Sequence, residues 1–200
     1  LEALGFQVLA TNPGVFVREE KNEKGKMYIA TYVDDLLIAY EHQEDYTELL
    51  TQLRKKFPMT EQVGNKLQFL GVDIHTSEKG TTLSQVEMAD RLITRMQLTE
   101  AKAKPAPLPQ DATKCTSKSG EALNEDFRTQ YRSAVGMLGY LTYTRPDLLY
   151  ARHFLSRYVQ APTTEHWRML MHCARYVVGT RNLGLVFKGD RQREHAQEGR

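Results

Sequence analysis

Residues 26–40, KMYIATYVDDLLIAY, are apolar, aromatic or β-branched almost throughout, yet two adjacent carboxylates, Asp34 and Asp35, stand at their centre. Such a stretch cannot run straight through a sheet, because desolvating two charged groups in mid-strand is costly. A tight strand-turn-strand instead carries both to an exposed tip, where Asp is a favoured turn residue. VFVRE, residues 15–19, has the same β-rich character and is separated from KMYIATYV by the turn-forming Asn22-Glu23-Lys24-Gly25, which predicts a hairpin here too. Tyr46, Leu49, Leu50, Leu53 and Phe57 follow helical spacing and Pro58 stops the run, so a helix over 44–57 is expected to cover one face of the sheet. LQFLGVDIHT, the turn Ser77-Glu78-Lys79-Gly80 and TTLSQ give another hairpin pattern, followed by a short helix over 86–96.

Residues 101–126 are rich in Ala, Lys, Pro and Ser, lack periodicity, and are expected to be a linker. Three helices follow. The first, over 127–143, contains Gly136 and Gly139, which cost about 1 kcal/mol each in a helix interior and therefore suggest close packing. The second opens near Pro146 and runs to Val159. The third, after Pro162-Thr163-Thr164, puts Trp167, Leu170, Met171, Ala174, Val177 and Val178 on one apolar stripe and ends with Gly179 as the residue just past the helix. Trp167 reads as core on this pattern. The tail from 189 to 200 has no apolar anchor and is expected to be disordered.

The 200 residues, 40% apolar, suit one large domain or two small ones, and their composition excludes the collagenous, disulfide-rich and disordered classes. Cys115 and Cys173 form no C-x-x-C pair, which favours a reducing compartment, and no apolar run reaches membrane-helix length. The net charge of +2 hides an asymmetry: residues 1–100 carry 11 basic and 16 acidic side chains, residues 101–200 carry 16 and 9. Between Arg128 and Arg181 all eight strongly basic residues are Arg, a side chain suited to bidentate phosphate contacts. Arg168, His172 and Arg175 share one helical face, open either to an anionic partner or simply to water. His166, His172 and Cys173 match no zinc-ligand spacing.

The sharpest chemical signal is Tyr32-Val33-Asp34-Asp35. Two neighbouring carboxylates repel one another, and an oxygen-preferring divalent cation holds them together in functional sites, although on the dipeptide alone a plain turn is the commoner explanation. TYVDDLLIA resembles the catalytic hairpin of reverse transcriptases. FLGVDIH with its short turn and LSQ, then YRSAVGMLGYLTYTRPDLLYARHFLSRY, HW and ARYVVGTRNLGLVF, are similar to blocks of the copia-type retrotransposon subgroup that reach from the polymerase toward RNase H. The resemblance extends from Leu4-Gly5-Phe6 to about Phe187.

That resemblance implies an α+β fragment: a partial polymerase palm with antiparallel hairpins over 1–100, the linker 101–126, a mainly helical connection-like region over 127–188, and the tail. It implies RNA-directed DNA synthesis, in which a primer 3′-hydroxyl attacks the α-phosphate of a deoxynucleoside triphosphate with two Mg²⁺ or Mn²⁺ ions stabilising the attacking and leaving oxygens. Asp34 and Asp35 match the catalytic, metal-binding carboxylates, Asp34 the more direct ligand; Tyr32 and Val33 match residues beside the primer terminus and incoming nucleotide. Leu70 and Gly71 align with the primer grip, where a glycine allows close backbone approach, against the plainer reading of Gly71 as a strand bulge. Arg168, His172 and Arg175 fall where the family contacts the template-primer backbone, and Lys66 aligns loosely with a lysine that acts on the leaving pyrophosphate. The implied partners are an RNA or DNA template with its primer, deoxynucleoside triphosphates and the rest of a parent polyprotein, in an intracellular setting, either a cytoplasmic virus-like particle or the nucleus. A further carboxylate is expected on an earlier palm strand; Asp73 matches no catalytic position, so these 200 residues alone are expected not to extend a primer.

Two other readings compete. A phosphoacceptor receiver domain also pairs acidic residues after an apolar strand, but continues into a loop and helix, whereas LLIAY reads as a returning strand. A catalytically dead remnant of a mobile element would keep the fold and lose polymerisation.

Overall fold

The computed structural model describes residues 1–19 and 24–188, and the chain divides into two units, Leu1–Val63 and Gly64 onward. Both are antiparallel sheets with helices, so the α+β class holds.

In the first unit β1 (Gln7–Leu9), β2 (Asn12–Arg18), β3 (Met27–Tyr32) and β4 (Asp35–Tyr40) pair in sequence order. The short β1 was not foreseen, since three residues are too few to display alternation. Met27 and Ile29 of β3 are fully buried against Phe6 and against Tyr46, Leu49, Leu50 and Leu53 of α1 (Gln43–Arg54). Buried Asp45, in the first turn of α1, accepts the Gly25 amide at 2.8 Å and pairs with Arg18 at 3.1 Å, tying the helix to the start of β3 and the end of β2. α1 stops before Phe57, which is exposed, because Pro58 bars its predecessor from helical backbone. The expected turn at residues 22–25 lies partly outside the described residues.

The second unit orders its strands β5 (Lys66–Phe69), β6 (Val72–Ser77), β7 (Gly80–Ser84) and β8 (Leu185–Phe187). LQFLGVDIHT is therefore two strands, broken at Leu70-Gly71. β8, with no counterpart in the sequence reading, returns over a long separation to pair Leu185 with Leu83 and Phe187 with Thr81. Helices α2 (Val86–Arg95), α3 (Glu125–Leu141), α4 (Leu149–Ser156) and α5 (Thr164–Thr180) close one core around Leu92, Tyr131, Leu138, Leu155, Leu170 and Val177.

Residues 101–126 pack as part of this unit: Ala112 and Cys115 are buried in its core, and the division of the chain falls between Val63 and Gly64. A Pro-rich segment whose regular structure is confined to a short 3-10 helix at Gln110–Lys114 must find further backbone partners elsewhere, and α5 supplies several. Arg175 Nε donates to the Lys102 carbonyl at 2.7 Å, the Lys104 amide donates to the Arg175 carbonyl at 3.2 Å, and His172 Nε2 meets the Ala106 carbonyl at 3.1 Å. Gly179 lies inside α5 rather than past its end, and its missing side chain makes room for Ala103, whose Cβ would stand 2.7 Å from a Cβ at 179. The expected disorder of 189–200 falls outside the described residues. No helix among the described residues is long and apolar enough to cross a membrane.

Candidate functional site

β3 and β4 stay in register from Met27↔Tyr40 to Tyr32↔Asp35, leaving Val33 and Asp34 as a two-residue turn. Val33 has φ 51°, a left-handed conformation that a β-branched residue adopts at a cost of about 1–3 kcal/mol. Six consecutive register pairs over-determine that turn and hold it. Tyr32 and Val33 are 58% and 87% exposed. Asp34 and Asp35 are exposed as well, and neither carboxylate has a hydrogen-bond or ion-pair partner among the described residues. Two free carboxylates on one rigid tip suit a hard, oxygen-preferring cation. Among the described residues no third His, Cys, Asp or Glu joins them, so this tip supplies two ligands and not a closed cage. Asp35 leads directly into the returning β4, which removes the receiver-domain reading.

Leu70 and Gly71 form a second two-residue turn, between β5 and β6, closed by the pair Phe69↔Val72. Both have positive φ, 50° and 67°, the pattern of a type I′ hairpin turn and not of a strand bulge. The Leu70 carbonyl accepts a hydrogen bond from the hydroxyl of Tyr140, near the end of α3. Tyr140 was missed in the sequence, where an aromatic residue on a helix carries no mark of a partner 70 positions away.

Structure thus gathers Tyr32, Val33, Asp34 and Asp35 on one turn of the first unit, and Leu70 with Gly71 on one turn of the second. Arg168, His172 and Arg175 do share a face of α5, but that face holds the 102–111 segment: Arg168 pairs with Asp111 and Glu165, each at 2.9 Å, while His172 and Arg175 bind backbone carbonyls. Other arginines of the basic stretch are also used internally. Arg132 Nε donates to the Val159 carbonyl at 3.0 Å, and buried Arg145 binds the Thr180 carbonyl and Asp147. His166 is fully buried and both its ring nitrogens are engaged within the chain: Nδ1 accepts the Thr163 amide at 2.9 Å in a capping box at the start of α5, and Nε2 meets the Thr116 carbonyl at 3.1 Å. Trp167 packs edge-on against Phe127, ring centres 5.0 Å apart, at the margin of the core.

Residues 1–110 match the family described as reverse transcriptase (RNA-dependent DNA polymerase). The chain is 33% identical over 94% of its length to the retrovirus-related Pol polyprotein from transposon RE2 of Arabidopsis thaliana, and 32% identical over 84% to that from transposon TNT 1-94 of Nicotiana tabacum. It is 30% identical over 96% to a transposon Ty5-1 protein of Saccharomyces cerevisiae, covering 61% of that relative. Of the two polyproteins it spans 12% and 13%. No solved structure matches it.

Proposed function

The chain belongs to the reverse transcriptase (RNA-dependent DNA polymerase) family, in its copia-type branch, and from that premise we propose that it supplies the cation-binding hairpin of a polyprotein enzyme that copies RNA into DNA. The observation that carries this reading is the Tyr32–Asp35 tip, whose two carboxylates are exposed, adjacent and unpartnered among the described residues. Asp34 and Asp35 hold Mg²⁺ or Mn²⁺, together with a carboxylate from an earlier palm strand of the parent polyprotein. Cations bound there supply charge stabilisation to the attacking and leaving oxygens. Tyr32 and Val33 present an apolar and aromatic surface to the primer terminus and the incoming nucleotide, and the strained turn fixes where that surface stands. The Leu70–Gly71 turn bears on the primer strand through its exposed tip.

Mn²⁺, a paramagnetic ion, tests the tip in the chain itself. The expected result is selective broadening of the amide resonances of Tyr32 to Leu36, lost in Asp34→Asn and weakened in Asp35→Asn. In the enzyme that contains the whole polymerase region, both substitutions are expected to lower primer extension by roughly 100-fold or more. Broadening that ignores both carboxylates, or full extension by either variant, would overturn the proposal.

A further inference from the structure

Leu70 is a poor residue for the conformation it adopts. Left-handed backbone at the first position of a type I′ turn is ordinarily taken by Asn, Asp or Gly, and a branched side chain there is strained. Strain of this kind persists only where the surroundings enforce it. Two features enforce it here, and both involve Tyr140. Its hydroxyl donates to the Leu70 carbonyl, in the middle of the turn. Gly71, at φ 67°, leaves the space that the phenol occupies, since a Cβ on residue 71 would stand 2.9 Å from the Tyr140 hydroxyl oxygen. The phenol ring is braced in turn by Tyr143, edge-on with ring centres 5.8 Å apart. The turn is thus pinned from outside its own sheet, by the C-terminal end of α3.

We infer that Tyr140 is a positioning residue: it fixes the carbonyl of Leu70 and thereby the way the Leu70–Gly71 turn is presented to the primer end of a template-primer duplex. The inference rests on the proposed function, and adds to it that α3 and the turn act as one part. Shifting α3 moves the turn, and removing one hydroxyl frees it. Tyr140 touches no reacting atom; it acts through the backbone of Leu70.

The test is Tyr140→Phe, which keeps the ring and its contact with Tyr143 and removes the donor. Two probes separate positioning from general damage: a DNA primer on an RNA template with a recessed 3′-end, and a blunt RNA–DNA duplex of the same length. The wild-type chain is expected to prefer the recessed end. Tyr140→Phe should cut that preference by about 5-fold, the equivalent of one neutral hydrogen bond, while leaving blunt-duplex affinity unchanged. Amide exchange at Leu70 and Gly71 should accelerate, with the exchange of α3 unaltered. Gly71→Ala should have a similar effect, and the double variant should be no worse than the stronger single one, because both break the same contact. Preserved preference in Tyr140→Phe, or equal losses on both probes, would overturn the inference alone. A wild-type chain that binds neither probe would overturn the functional reading itself, and with it the role of Tyr140 at the primer.

Discussion

At the residue scale, an aspartate does opposite work depending on what surrounds it. Asp34 and Asp35 have no partner among the described residues and are available to a ligand, whereas Asp45, also on the first unit, is consumed by Gly25 and Arg18. His166 shows how a histidine that could pass for a ligand is spent on a helix end. Burial holds its imidazole below the ordinary value near 6.5, only partly opposed by the bond to the Thr116 carbonyl. Its Nδ1 accepts the Thr163 amide, so protonation there breaks the cap. With the folded value depressed, the contribution of His166 is complete above about pH 6.5, where the unfolded chain is also neutral, and is lost as pH falls toward the folded value. His172, lowered by burial too, acts in the same direction. Thermal unfolding should therefore shift downward between pH 7.5 and 5.5. His166→Gln, which keeps an acceptor suited to the third position of a capping box, should remove part of that shift; an identical pH slope in the variant would contradict the assignment.

At the element scale, α5 illustrates the difference between a charged face and a free one. Arg168, His172 and Arg175 stand at i, i+4 and i+7 as the sequence indicates, but a Pro-rich segment that is irregular up to a short 3-10 helix at Gln110–Lys114 lies across them and takes up their hydrogen-bonding groups. Arg175→Ala is expected to cost about 1 kcal/mol, the discounted value of a charge-assisted bond at a partly exposed site. Arg168→Ala should fall within about 0.5 kcal/mol, since both of its ion pairs are on the surface. Urea midpoints would measure both. If the pair instead bound duplex phosphates, their removal would leave the midpoints alone and lower the salt dependence of duplex binding by nearly two charges. The β7–β8 pair shows a second element-scale constraint. Gly80 and Gly184 face the carbonyls of Phe187 and Leu83 so closely that neither position has room for a Cβ.

At the scale of the whole molecule, each unit closes a core of its own, one around Met27 and Ile29 under α1, the other among α2, α3, α4 and α5. Trp167, the single tryptophan, belongs to the second. Its fluorescence therefore reports on that unit alone, whereas far-UV circular dichroism reports on both. In urea the two signals are expected to give separate transitions, the circular dichroism trace carrying a phase that fluorescence lacks; coincident curves would show that the units unfold as one.

Sequence alone determined what depends on local chemistry. An apolar run with charge at its centre can only be a hairpin tip, Pro58 must end a helix, and the periodic stripes of the later helices must face a core; the order of these blocks sufficed to identify the family. Tertiary structure decided what depends on partners distant in the chain. It made 101–126 a packed segment, because the hydrogen bonds its backbone lacks come from α5. It added β8, three residues whose strand character exists only beside β7. It placed Gly179 inside a helix against Ala103, and it joined Tyr140 to Leu70. Periodicity and turn propensity are written in neighbouring residues and can be read there, whereas the satisfaction of a lone carbonyl or the absence of room for one Cβ is fixed only when the chain folds back on itself.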